Sequence, residues 1–553
     1  MTTTSLLLGP LVRYVGVDDA TFWFEFDAPG TVHVRTALGV EGEARTWGLH
    51  GHHYALVALT GLPQNTAVAY EVTFEGSTVW PEQGERAAIH TVDPDGPVTL
   101  AFGSCRRGDN YSDESLKRIG ADALAGLGNR MASQDPGEWP QALLLLGDQV
   151  YADDPSPEII ERLRARRGAG EGPASVRGTD AEDEICDFEE YSWLYHESWG
   201  AEPVRKLLAS VPSCMILDDH DLRDDWNSSA SWRADIETRP WWRDRVVGAF
   251  TSYWVYQHLG NLSPGELVDD EIYAAVRSAA SDAEREQLLA SFSLRVDSEP
   301  STGRWSFYRD FGDTRLVMID SRCSRDLDPD RRAMVDAEEW AWVRERALEA
   351  APRHLLFGSS LPYLMLPALH HLEQWNEAVA QGSWGKFAAR VGEKLRIDLD
   401  LEHWAAFGTS FADMASLTRE LSRRDNGPAS IMWLSGDVHC SYVARAEFGV
   451  GGDVPAIYQL TMSPFRNPLD LPIRAVNRLA IKKPMARIMS SLARSAKVGP
   501  SELSWEAEAG PWFDNGVMLL TTDGDSARLR VEHAHVDAQG VQTLTSTREM
   551  KLT

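Results

Sequence analysis

The sequence predicts an α/β protein with a smaller all-β domain in front of it. Three observations carry that prediction. Short apolar runs recur through residues 96–553, each ending in Gly, Ser or Asp, as strands buried on both faces of a parallel sheet do. Residues 1–95 carry aromatic-rich segments separated by turn signals instead, the pattern of a small β-sandwich. A chain of 553 residues is also too long for one small core. The turn-rich Asp93-Pro94-Asp95-Gly96-Pro97 marks the expected boundary.

In the first region, residues 21–26, 31–35, 54–57 and 67–74 read as strands, with Pro29-Gly30 as a turn. Leu59-Thr60-Gly61-Leu62-Pro63 before a Tyr-containing strand resembles a fibronectin type III module. No catalytic cluster lies here, and the role expected is structural or positioning.

Residues 98–103 form the first buried run of the larger region, followed by Ser104-Cys105-Arg106-Arg107. Cys105 there reads either as a thiolate ligand helped by the neighbouring arginines or as a small buried hydrophobe. The second run is Leu143-Leu144-Leu145-Leu146, ended by Gly147 and followed by Asp148 and Tyr151. Open α/β sheets place ligands at the carboxyl ends of their strands. A carboxylate and a phenol at such an end suit a hard cation; the bland alternative is a capping Asp and a packing Tyr. Residues 155–186 show little apolar pattern and read as a mobile insertion or lid.

The third run, Cys214-Met215-Ile216-Leu217, leads into Asp218-Asp219-His220-Asp221, and six of the eight positions from Asp218 to Asp225 are Asp or His. Such carboxylates repel one another unless cations neutralise them. Further strands are expected within 305–321 and 355–358, with a capped helix from Asp336 between them. The fourth run, residues 431–435, ends in Gly436-Asp437-Val438-His439, repeating the strand-Gly-Asp form. Asp437 and His439 are two apart, so on extended backbone both face one site. Residues 514–550 return to strand patterns with a hairpin turn at Asp523-Gly524.

Formal net charge is −29, which excludes a general electrostatic footprint for nucleic acid. A phosphate substrate stays compatible, because a bound cation inverts the local field. Against that charge, residues 474–497 carry seven basic side chains and no acidic one. They read as a solvated helical segment, a flap over an anionic substrate, or a weak contact with anionic membrane, and Pro484 would break any single helix there. Five scattered cysteines argue for a reducing compartment. The first ten residues show no export signal and no run reaches membrane-helix length, so the cytoplasm is expected.

Taken in order, Ser104-Cys105, Gly147-Asp148-Gln149-Val150-Tyr151, Asp218-Asp219-His220-Asp221 and Gly436-Asp437-Val438-His439 resemble the motifs of the alkaline phosphatase D (PhoD-like) branch of the calcineurin-like metallophosphoesterases. The resemblance spans roughly residues 97–550. It implies a four-layer αββα sandwich, an N-terminal β-domain, and a phosphoric ester hydrolase holding iron and calcium. Carried over by position, Cys105, Asp148, Tyr151 and His439 would hold Fe3+. Asp148 would bridge to a second metal, Ca2+, held also by Asp219 and Asp437. His220 would face substrate and stabilise the transition state or protonate the leaving oxygen, and Arg106, Arg107 and Arg322 would clamp phosphate oxygens. Hydroxide activated by the metals would attack phosphorus in line, on a monoester or a diester. Two alternatives stand beside it: a non-hydrolytic iron protein for redox work, and an inactive scaffold on the same fold. No obligate protein partner is indicated.

Overall fold

Side chains alternate along the strand Asp19–Phe26, and both of its faces are covered. Phe22, Phe24 and Phe26 pack with Val32, Val34, Val72 and Phe74 inside an all-β region. Trp23 and Glu25 point the opposite way and are buried against the rest of the chain. The computed structural model describes residues 5–82, 87–349, 351–449, 455–469 and 471–553. The first four residues, part of the stretch read for an export signal, lie outside the described residues.

Two antiparallel sheets make the N-terminal region. One runs in the order Leu6–Val15, Asp19–Phe26, His52–Thr60, Trp47–Leu49. The other runs Glu41–Arg45, Thr31–Thr36, Ala67–Phe74, Ser77–Trp80, with Ala88–His90 also paired to Ala67–Phe74. The first sheet lies against the main body. Arg13 donates to the carbonyls of Tyr256 (2.5 Å) and Gln257 (2.7 Å), and Leu8, Leu11 and Trp23 share a core with its strands.

Two mixed sheets form the body. The first has the order Ser213–Ile216, Ala142–Leu146, Val98–Gly103, Gly516–Asp523, Ser526–Val536, Gln542–Lys551, its first three strands parallel. The second has the order Phe307–Phe311, Thr314–Ile319, His354–Ser359, Ser430–Ser435, Ala456–Thr461, Ser441–Phe448, Leu503–Trp512, with four parallel strands from Thr314–Ile319 to Ala456–Thr461. Period-two alternation sorts the layers. Leu316, Met318, Leu356, Met432 and Leu434 join the core shared with the first sheet. Val317, Ile319, Phe357, Ile431 and Trp433 pack instead with Val343 and Ala347 of the helix Ala337–Glu349 and with Met414 and Leu417 of Gly408–Ser422. The helix Ala123–Met131 covers the first sheet at Gln542–Lys551. The order is therefore helix, sheet, sheet, helix.

Residues 155–186, read from composition as a mobile insertion or lid, hold more regular structure than that composition suggested. Ser156 caps a helix, Pro157–Gly168, whose Ile159 and Leu163 are buried four residues apart. Its arginines find partners inside the molecule: Arg167 donates to Glu190 and to the Glu184 carbonyl, each at 2.7 Å. Neutralised charge and buried stems order a segment that has few apolar residues. The basic stretch forms two helices, Leu471–Ala480 and Lys483–Ser495, with Pro484 in the first turn of the second. Among the described residues, no helix is long and apolar enough to cross a membrane.

Candidate metal centre

The motif residues follow the carboxyl ends of parallel strands, and the loops that carry them are laced together by backbone hydrogen bonds. Cys105 N donates to the Gly147 carbonyl (3.2 Å), Arg106 N to the Asp148 carbonyl (3.1 Å) and Gly436 N to the Ser360 carbonyl (2.9 Å). Both glycines of the Gly-Asp pairs are required. Gly147 has φ +100°, and a Cβ there would sit 2.7 Å from Asp218 Cβ. A Cβ on Gly436 would lie 2.1 Å from Ser104 Oγ.

Four candidate ligands also hold left-handed backbone: Cys105 (φ 56°), Asp148 (50°), Asp437 (62°) and His439 (45°). Such residues cost on the order of 1 kcal/mol or more each and persist where surroundings over-determine them, commonly at functional sites.

Asp148 is the centre of the arrangement. Its Oδ2 lies 3.3 Å from Cys105 Sγ and accepts from Tyr151 OH at 3.3 Å. Ligand atoms of Cys105, Asp148 and His439 converge within 4.8 Å of one another; so do those of Asp148, Asp219 and His220, and those of Asp148, Asp218, Asp219 and Asp437. His439 Nδ1 donates to the Asn467 carbonyl (2.7 Å), leaving the Nε2 lone pair available as a ligand. His220 Nδ1 pairs with Asp153 Oδ1 at 2.8 Å. Asp219, His220, Asp437 and His439 line one cleft of about 270 Å³.

The electrostatics is that of a charge-deficient site. Burial pushes Asp148 well above the ordinary carboxylate value against the pull of His220, and the surrounding carboxylates add to the rise. Burial does the same to Asp219 against the pull of Arg322, and Asp218 rises to about 6. Asp148 Oδ1 and Asp218 Oδ2 are buried without a hydrogen-bond partner. Burial lifts the Cys105 thiol and the Tyr151 phenol, and the Asp148 charge adds to each. Asp437 goes the other way: burial would raise it, but the neighbouring His403 imidazole and the charge of Arg322 bring it down to about 2. Unpartnered carboxylate oxygens next to thiol, phenol and imidazole fit cations of the kind that take oxygen, sulfur and nitrogen donors together.

The three arginines are not brought together here. Arg106 is fully buried, holding Asp122 (2.6 Å) and Ser198. Arg322 is fully buried behind the carboxylates, bound to Asp218, to Asp219 (3.2 Å) and to Glu402 (2.5 Å). A guanidinium engaged this way has no free fork for a phosphate oxygen. Arg107 pairs with Asp109 and Asp154 and lies 5.6 Å from the Tyr151 ring centroid, the one of the three beside the ligand set.

Sequence reasoning missed the supporting groups. His403 Nε2 lies 3.4 Å from Asp437 Oδ2, and its Nδ1 pairs with Glu373 at 2.8 Å. His403 and Glu373 sit in stretches with no strand-end signature, so only the fold could bring them in. Asp153 lies two residues beyond Tyr151 and could have been found as a histidine partner within that motif.

A family model described as PhoD-like phosphatase matches residues 126–457, more than half of the chain. The chain belongs to the PhoD-like phosphatase family. A second model, described as a domain of unknown function (DUF7800), matches residues 3–92. A search of curated proteins finds no match. Among solved structures, one described as "Structure of PhoD" is similar over 100% of this chain and 93% of that one, with a TM-score of 0.61 and 10% identity. At that identity the likeness speaks for the fold, which is the metallophosphatase-type α/β fold that the motifs implied. A purple acid phosphatase, PPD1 from yellow lupin (Lupinus luteus) seeds, shares 10% identity over 97% of this chain and 74% of that one, with a TM-score of 0.47. The PhoD-like family implies metal ions and a phosphate ester substrate.

Proposed function

We propose that the protein hydrolyses phosphate esters at a two-metal centre built around Asp148. The observation that carries this reading is the membership of Asp148 in three separate groups of converging ligand atoms. In it, Cys105, Asp148, Tyr151 and His439 would hold one cation, and three anionic donors would favour a trivalent ion such as Fe3+. Asp148, Asp219 and Asp437 would hold a second cation, Ca2+ in this reading. Such cations, when bound, lower the pKa of water and neutralise charge on the transferring phosphoryl group.

The protein's own residues do the rest. His403, held by Glu373, orients Asp437. Low-dielectric surroundings push the His220 pKa down, but Asp153 and the nearby carboxylates overcome that and hold it well above the ordinary histidine value. With Nδ1–H committed to Asp153, the Nε2–H is the proton given to the leaving ester oxygen as its bond to phosphorus breaks. Arg107 would meet a phosphate oxygen by giving up its ion pair with the exposed Asp154. Monoester and diester are both within this chemistry.

Purified protein tests the proposal on paired chromogenic mono- and diesters, with and without calcium and after chelation. Turnover that disappears on chelation is expected, and the ester ratio assigns the subclass. Metal-loaded protein that turns over neither ester overturns the proposal.

A further inference from the structure

Three neighbouring helices leave apolar side chains facing solvent on one side of the cleft. Leu471, Ile473 and Val476 of Leu471–Ala480 are 76, 49 and 53% exposed, and Ile488 of Lys483–Ser495 is 58% exposed. Phe387, near the start of Lys386–Asp398, is 82% exposed, and Leu399 follows that helix at 53%. The segments are linked at two points. Trp384 Nε1 donates to the Ser495 carbonyl at 3.2 Å, and at the other end Leu399 and Ile473 line the same cleft as Asp219, Asp437 and His439. Apolar side chains exposed together mark a contact surface, whereas scattered ones do not.

The charge on this surface names the partner. Residues 474–497 hold seven basic side chains and no acidic one, in a chain of net charge −29. Arg478, Lys482 and Arg487 are exposed, flanking the apolar positions. An apolar face bordered by Lys and Arg is the make-up of helices that lie in the headgroup region of an anionic bilayer. The protein's overall negative charge does not prevent this, because charges beyond about 8 Å are screened at physiological salt.

We propose that the two basic helices and the neighbouring Phe387 dock on an anionic lipid surface and bring the mouth of the cleft to it. Phosphate esters displayed at that surface would then reach the Asp148 site, a consequence that rests on the function proposed above; the docking itself does not.

Vesicle co-sedimentation tests the docking without requiring turnover. Full-length protein is mixed with vesicles of phosphatidylcholine alone, or with about a third phosphatidylglycerol. Binding to the anionic vesicles is expected, falling steeply in 1 M salt, where the screening length drops to about 3 Å. Arg478→Glu/Lys482→Glu/Arg487→Glu should weaken it by ~100-fold or more. Leu471→Ser/Val476→Ser/Ile488→Ser should weaken it as well, and both variants should keep wild-type turnover of a soluble ester. Equal binding of both vesicle types, no binding, or unchanged binding by the variants overturns the docking. So does a lipid-free dimer that the serine variant dissociates, since a second copy would then be the occupant. Binding without any turnover would leave the docking standing and remove the function.

Discussion

Among the described residues, two clusters of buried carboxylates with histidines are balanced in opposite ways. At the junction of the N-terminal sheet with the body, Glu25 is fully buried and receives His52 Nδ1 at 2.6 Å, His196 Nε2 at 2.9 Å and Tyr256 OH at 3.1 Å. Glu189 accepts from the other nitrogen of His52 at 2.9 Å. Burial raises the Glu25 pKa, but the hydrogen bonds from His196 and His52 bring it below the ordinary carboxylate value. At the strand ends, Asp148, Asp218 and Asp219 are pushed upward, and two of their oxygens lack a partner. His, Asp and Glu types alone do not distinguish the clusters. The charge balance does: the first is a closed clasp, whereas the second has an excess of negative charge that cations would neutralise.

The largest test of this contrast is Asp148→Asn. Losing the bridge should remove several kcal/mol of transition-state stabilisation, a fall of ~10³-fold in kcat/KM on a chromogenic ester. The same change should raise the melting temperature of the metal-free protein, because it removes a costly buried charge. A metal-free variant less stable than metal-free wild type would break the contrast. Chelation should come next. A metal present at a thousand times its Kd stabilises by about 4 kcal/mol, so chelator should lower the melting temperature of wild type and barely move that of Asp148→Asn.

His403→Ala should reduce metal affinity or turnover by about 10–100-fold, since it removes a group that orients a ligand without touching substrate. Partial recovery when metal is raised would mark the positioning role.

The smallest effect on activity belongs to the clasp. His52→Gln should leave turnover unchanged and cost about 3 kcal/mol of stability where the clasp is fully charged. The sign follows from the shifts. Burial lowers the His52 pKa, but its bonds to Glu189 and Glu25 raise it to about 9. Its contribution is therefore complete below the ordinary histidine value of 6.5 and lost as pH rises through about 9. Glu189, brought down to about 2, loses its share only as pH falls through that value. A melting-temperature difference between variant and wild type that did not shrink above pH 9 would contradict the charged-clasp description.

Legibility in the sequence followed locality. Strand-end motifs are written in consecutive residues, so the strands and the candidate ligands Asp148, Asp219, Asp437 and His439, which the fold brings together, could be picked out from the chain. Arg322 could be seen but not placed: the same residue type clamps a phosphate or backs a carboxylate, and only its contacts with Asp218, Asp219 and Glu402 decide. His403, Glu373 and Glu25 were invisible because their partners are 27 or more residues away in the chain. Residues 155–186 misled because composition does not reveal that arginines such as Arg167 pair internally with Glu190.

Metal analysis of three purified proteins tests the central claim most directly: wild type, Asp148→Asn and His52→Gln/His196→Gln, each with its metal-to-chain ratio measured by mass spectrometry. The account predicts more than one metal per chain in wild type, a clear loss in Asp148→Asn, and an unchanged ratio in the histidine double variant. Metal that stays in Asp148→Asn and leaves with His52 and His196, or active wild type without metal, would contradict it.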